Sequence, residues 1–206
     1  MKKLFSLFFA ALLALPLAAA AQQSYSEVSP PQPVDSKGKI EVVEFFWYGC
    51  PHCYNLEPYI EAWLKKLPPD VEFKRVPAIF NQRWAHDAAI FYTLESMGLV
   101  EKLHRPLFDA IHKDRLQTDN QAALSEWLQK HGVDPKKFMD TMKSFGVQSK
   151  TKRALQQTVA YKIDGTPAMA VQGRYTVSAD QGRSQQGMLQ AVDQVVAMVR
   201  KQKGSS

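Results

Sequence analysis

From Ile40 to Tyr48 the chain is almost unbroken in apolar, β-prone side chains, and Gly49 then turns it directly into a segment with helical periodicity. A strand with so little polar alternation has to be covered on both faces, so it belongs at the centre of a layered α/β unit. Beyond the turn, Cys53, Leu56, Ile60, Trp63 and Leu67 recur at helical spacing, with Pro58 expected to kink or loosen one turn. Val71 to Val76 reads as a second strand. Strand, helix, strand is the opening of a parallel βαβ unit.

The pattern then changes. Ser24 to Lys39, before the strand, is an extended arm with a short edge strand expected around Tyr25–Val28. After it, from about Asn81 to Lys150, the periodicity is helical throughout: Trp84, Ala88 and Phe91 form one stripe, and Leu103, Leu107 and Ile111 another. Thr118 to Gln121 has capping-box spacing ahead of Leu124, Trp127 and Leu128, with Gly132 closing that helix. Asp134-Pro135 starts a further helix expected to carry Phe138, Met142 and Phe145 as far as Gly146. A long helix then reaches Ile163, and Ala168–Gln172 and Tyr175–Val177 form a hairpin about a Gly173-Arg174 turn. A last helix presents Leu189, Val192, Val196 and Val199 on one face. The expected organisation is a signal segment over 1–21, an α/β unit over 22–79, an all-helical insert over 80–150, and the second part of the α/β unit over 151–206.

The start has the three-part layout of a secretory signal: Met1-Lys2-Lys3, an apolar run from Leu4 to Leu15, then small residues at Ala18–Ala21 before Gln22. Its removal leaves about 185 residues, enough for one sizeable domain with an insert. Without Lys2 and Lys3 the 26 basic residues become 24 against 20 acidic, a net +4 spread without a dense basic block, so nucleic-acid binding is not expected. With 45% hydrophobic residues the chain can fill a core without disulfide staples.

An exported chain with only two cysteines, three positions apart, uses them for something other than stapling. A structural disulfide gains most by closing a long loop, and this one closes a very short one. Zinc needs about four ligands, and neither a second CxxC nor ligand spacing among His86, His104, His112 and His131 supplies them; each of these histidines reads as a surface residue. Attached haem needs histidine directly after the second cysteine, where Tyr54 stands. What remains is thiol chemistry, with no cofactor and no metal. Cys50 stands at the mouth of a helix, where free backbone N–H groups and the positive dipole end favour a thiolate. Pro51 suits the first helical turn, lacking an N–H, and His52 adds positive charge or a donor beside the sulfur. Cys53 opens the apolar stripe and is therefore the buried partner, while Cys50 is the exposed sulfur that exchanges with substrate.

Glu44-Phe45-Phe46 before Cys50-Pro51-His52-Cys53-Tyr54, the large helical stretch, and Gly165-Thr166-Pro167 ahead of a short hairpin together resemble the DsbA family of bacterial periplasmic disulfide oxidases. The resemblance covers nearly the whole chain after the signal and implies a thioredoxin-like fold with a large all-helical insert domain. It implies a protein disulfide oxidoreductase that donates its Cys50–Cys53 disulfide to reduced or unfolded exported proteins in the periplasm, assisting oxidative folding, as a monomer. It also implies reoxidation by a DsbB-like, quinone-linked inner-membrane oxidase, and a cis Pro167 facing the cysteines. Thr166 replaces a familiar valine, and its hydroxyl is placed to bond the Cys50 sulfur and tune its potential. Arg75 aligns with a lysine that accompanies a buried glutamate, here Glu44, whose carboxylate is expected to accept or supply the proton of Cys53. Two alternatives stay open: a disulfide isomerase or reductase on the same fold, in which a dimerisation domain would precede the strand in place of about 18 residues, and a non-enzymatic chaperone with a structural CxxC.

Overall fold

The computed structural model describes residues 24–204; the signal segment expected over 1–21 lies outside the described residues. The central strand is β2 (Ile40–Phe46), and every one of its residues is buried. It pairs in parallel with β3 (Val71–Pro77) and antiparallel with β4 (Ala168–Val171); β4 pairs antiparallel with β5 (Tyr175–Ser178), which carries the short β1 (Ser26–Glu27) at the edge. The sheet order is β1-β5-β4-β2-β3. This is a thioredoxin-like fold with a helical insert.

Helix α1 (Pro51–Leu64) and the long C-terminal α8 (Gln185–Gly204) cover one face of the sheet, where Leu56 and Ile60 of α1 meet Val42, Met169, Val192 and Val196. Pro58 is accommodated inside α1, which runs through it. On the other side, Val43 and Phe45 pack into a larger core built by α2 (Gln82–Ser96), α3 (Val100–His112), α4 (Gln121–Lys130), α5 (Pro135–Met142) and α6 (Phe145–Ala160). Phe45 rests on Tyr161, ring centroids 5.2 Å apart. Helix α6 runs across position 150. A short α7 (Ala179–Gly182) joins β5 to α8.

Several local expectations need correcting. The cap of α4 is Asn120, whose side chain accepts from Ala123 N–H; Thr118 instead is buried and donates to Asp87. Helix α5 stops at Met142, because Ser144 caps a new helix, and Phe145 stands 87% exposed at its start. The β4–β5 turn is centred one residue earlier than expected, on Gln172 and Gly173, both at positive φ (52° and 67°). They are the central residues of a tight turn closed by Arg174 N–H on the Val171 carbonyl at 3.1 Å, within a three-residue connection between Val171 and Tyr175. At Gly173 a side chain would also collide with the Gln32 carbonyl, which comes within 2.0 Å of where its Cβ would lie.

Candidate active site

The turn from β2 into α1 is held from two sides before it reaches the cysteines. Trp47 donates its indole N–H to the buried Asp87 at 2.7 Å and stacks on Trp84 at 4.3 Å. Tyr48 is held at both ends by α3: its hydroxyl meets Nδ1 of His104 at 2.9 Å, and its carbonyl meets Nε2 of His112 at 2.8 Å. Gly49 follows with no room for a side chain, since a Cβ would lie 2.3 Å from the Trp47 ring. The Trp47 carbonyl accepts the Cys50 N–H at 3.0 Å, and Cys50 becomes the N-cap of α1 with Pro51 at its first position.

Both cysteines are free thiols. As N-cap, the Cys50 sulfur accepts the Cys53 backbone N–H at 3.4 Å and lies 3.3 Å from the Thr166 carbonyl oxygen. The Thr166–Pro167 peptide is cis. The Cys53 thiol is the largest influence holding Cys50 down at about 5; burial opposes it, and the Thr166 side chain and the backbone N–H groups of Cys53 and His52 assist. The contribution of His52 comes through its backbone N–H, while its ring lies on the exposed side and lines a groove with Asp164, Thr166, Pro167 and Met188. For Cys53 burial acts first and the Cys50 sulfur second, and both push its thiol well above the ordinary range. The expected contrast of an exposed and a buried cysteine is one of degree: Cys50 is 6% exposed, with the Thr166 carbonyl 3.3 Å from its sulfur, and Cys53 is 0% exposed. Thiolate fraction, more than access, separates the two. Iodoacetamide at pH 6 should therefore modify Cys50 well before Cys53, read by peptide mass mapping; faster labelling of Cys53 would reverse the assignment.

Behind the sulfurs lies a cluster of buried charge. Glu44 (0% exposed) sits opposite Arg75 in the β2–β3 register, with Arg75 Nε 3.2 Å from its Oε2. The same guanidinium reaches Glu57 of α1, Nη2 to Oε2 at 3.1 Å, and Nε2 of His104 lies 3.3 Å from Glu57 Oε1. Burial, helped by repulsion from Glu57, raises Glu44 to about 8 against the pull of Arg75. Burial acts against the charge on Glu57 too, but the His104 contact and the guanidinium charges of Arg75 and Arg105 outweigh it and hold Glu57 below the usual carboxylate range. Glu44 is thus the carboxyl that carries a proton near neutral pH.

Two members of this cluster were not anticipated. His104 is a buried core residue, not a surface histidine, and His86, His112 and His131 each bond a backbone carbonyl while half-buried. Glu57 stands four residues after Cys53, on the same buried stripe as Leu56 and Ile60. An acid on a helix's apolar face is the signal that would have found it.

The family model for a DSBA-like thioredoxin domain matches residues 75–191. The thiol:disulfide interchange protein DsbA of Azotobacter vinelandii is 43% identical over 178 residues, 86% of this chain and 83% of that protein. The corresponding protein of Pseudomonas aeruginosa is 40% identical over 180 residues, 87% of this chain and 85% of its own length. The crystal structure of Pseudomonas aeruginosa DsbA superposes with a TM-score of 0.84 at 39% identity, covering 88% of this chain and 95% of that one.

Proposed function

Since the chain belongs to the DsbA-like thioredoxin family, we propose that the Cys50–Cys53 disulfide is what it passes to reduced exported proteins, with Cys50 as the sulfur that exchanges. The protein is a thiol:disulfide oxidoreductase that assists oxidative folding. The single observation that carries the assignment of roles is the opposite displacement of the two thiols, Cys50 down and Cys53 up.

A substrate thiolate attacks Cys50 Sγ; the Cys50–Cys53 bond breaks and its electron pair leaves on the Cys53 sulfur. A buried thiolate at Cys53 is costly, so that sulfur needs a proton as it departs. Glu44, protonated near neutral pH and within electrostatic reach of both cysteines, is the group that supplies it. A second substrate thiolate then attacks the substrate sulfur of the mixed disulfide and expels Cys50, a good leaving group because its thiolate is stabilised. The substrate gives up two electrons and two protons, and the protein is left reduced, with Cys53 as thiol, Cys50 as thiolate and Glu44 regaining from solvent the proton it gave. Pro51 starts α1, and the Thr166–Pro167 segment and His52 border the reacting sulfur and its groove.

Among the described residues no helix is long and apolar enough to cross a membrane. Periplasmic location after signal cleavage, action as a monomer and reoxidation by a DsbB-like quinone-linked membrane oxidase complete this reading, supported by the family and by the signal-like start of the sequence. Cys53→Ala, expressed with its signal, should accumulate mixed disulfides between Cys50 and exported proteins on non-reducing gels, and Cys50→Ala should accumulate none. Equal trapping by both variants, or by neither, would defeat the assignment.

A further inference from the structure

Two carboxylates share one guanidinium in the core, and the fold treats them unequally. Arg75 Nη2 donates to Glu57 at 3.1 and 3.4 Å, whereas its Nε faces Glu44 at 3.2 Å without hydrogen-bond alignment. Both oxygens of Glu44 lack a hydrogen-bond partner among the described residues. Glu57 has a second partner in His104 Nε2, and the other ring nitrogen of His104 meets the Tyr48 hydroxyl. A neutral imidazole has one N–H to place. An ionised Glu57 can only accept, so Nε2 carries the hydrogen and Nδ1 accepts from Tyr48, whose hydroxyl burial keeps protonated. His104 is 5% exposed, and burial favours its neutral form. The donor chain therefore runs one way, from Tyr48 to His104 to Glu57.

We propose that His104 is a positioning residue that decides which of the two buried carboxylates holds the proton: by donating to Glu57 it keeps that carboxylate ionised on Arg75 and leaves the proton on Glu44. The proposal deepens the reading of Glu44 as the proton partner of Cys53 and rests on it. The charged groups do not all act alike: Arg75 pulls against a proton on Glu44, while Glu57 and the Cys50 sulfur favour it. Glu44 is faced by Glu57 from α1, Arg75 from β3 and the Cys50 sulfur. Glu57 is faced by His104 and Arg105 from α3 and by Arg75. His104 is faced by Glu57, Arg75 and, on its own helix, Glu101. Removing the His104 donor destabilises the Glu57 anion; once Glu57 takes the proton, its repulsion of Glu44 ends and Arg75 is free to pair with Glu44. The insert thus reaches the redox centre through one imidazole.

The test is infrared titration of carboxyl bands in the reduced full chain, with Glu44→Gln and Glu57→Gln to assign them. The unsubstituted protein should show a protonated carboxyl band that vanishes in Glu44→Gln and titrates near pH 8. In His104→Leu the band should be one lost with Glu57→Gln, and the Glu44 midpoint should fall clearly below its position in the unsubstituted protein. His104→Gln, whose amide donates to Glu57 and accepts from Tyr48, should restore the original pattern. A Glu44 band unmoved in His104→Leu would overturn the proposal. Should His104→Leu not fold, nitrogen-15 NMR of the unsubstituted ring decides: a hydrogen on Nδ1, or on both nitrogens, overturns it. Unaltered exchange kinetics in Glu44→Gln would instead remove Glu44's role toward Cys53 and leave the proton assignment standing, so the two failures are distinguishable.

Discussion

Reducing the Cys50–Cys53 pair should stabilise the protein above neutral pH and destabilise it below about pH 6, a crossing that follows from two opposed contributions. Closing the four-residue loop from Cys50 to Cys53 favours the oxidised form by only about 2 kcal/mol, in the loop-entropy account. Against this stands the thiolate. The Cys50 thiol falls from 9.0 to about 5 on folding. A group lowered by folding contributes stability that is fully present above its unfolded value and is lost as pH falls through its folded value. Integrating that shift gives the reduced form about 4 kcal/mol at pH 8, about 3 at pH 7, and only about 1.4 at pH 6. The thiolate therefore wins at pH 7 and above and loses at pH 6 and below. Thermal melts of both redox forms at pH 5, 7 and 8 check it. A higher melting temperature for the oxidised form at pH 8 would show that the thiolate is not stabilised as the geometry implies.

Arg75→Met should cost about 3–5 kcal/mol of stability near pH 8, the usual result of stranding buried charge by removing one partner. Methionine keeps much of the stem's packing, so the loss reports charge more than volume. Its pH dependence carries the diagnosis. Without the guanidinium, Glu44 loses the charge that opposes its burial and its folded value rises further above the unfolded one, so the stability it contributes is retained at low pH and lost as pH rises through that folded value. Urea unfolding of the oxidised variant at pH 5 and pH 8 should show the deficit much larger at pH 8. A deficit equal at both would mean that Arg75 holds the sheet by packing alone.

The central strand, the helix opened by Cys50-Pro51 and the hairpin after Pro167 were legible because each rests on local rules: continuous apolar burial, N-cap and N1 chemistry, and short alternating strands. The places where reading failed share a cause. Phe145 has core spacing from Met142 but is exposed, because Ser144 caps a new helix that Phe145 opens, which breaks the periodicity between them. His104 lies between Leu103 and Leu107 on a buried stripe, yet its role depends on Tyr48 and Glu57, which are distant in sequence and brought together only by the docking of α3 on α1. Glu44 was legible as a buried acid. That it shares its cation with Glu57 was not, since the second acid comes from a different layer.

The hold of α3 on Tyr48 bears on how this protein can be re-engineered. Hydroxyl and carbonyl of one residue, two positions before Cys50, are both anchored to histidines of the insert. Transplanting Cys50-Pro51-His52-Cys53 into a scaffold without that insert would carry over the helix N-terminus, and with it much of what sets the first sulfur. It would leave behind the imidazole on Glu57 and the clamp on the turn, which condition the second sulfur. Such a chimera should keep a reactive first cysteine while losing control over the proton that its partner must gain and give back in each cycle.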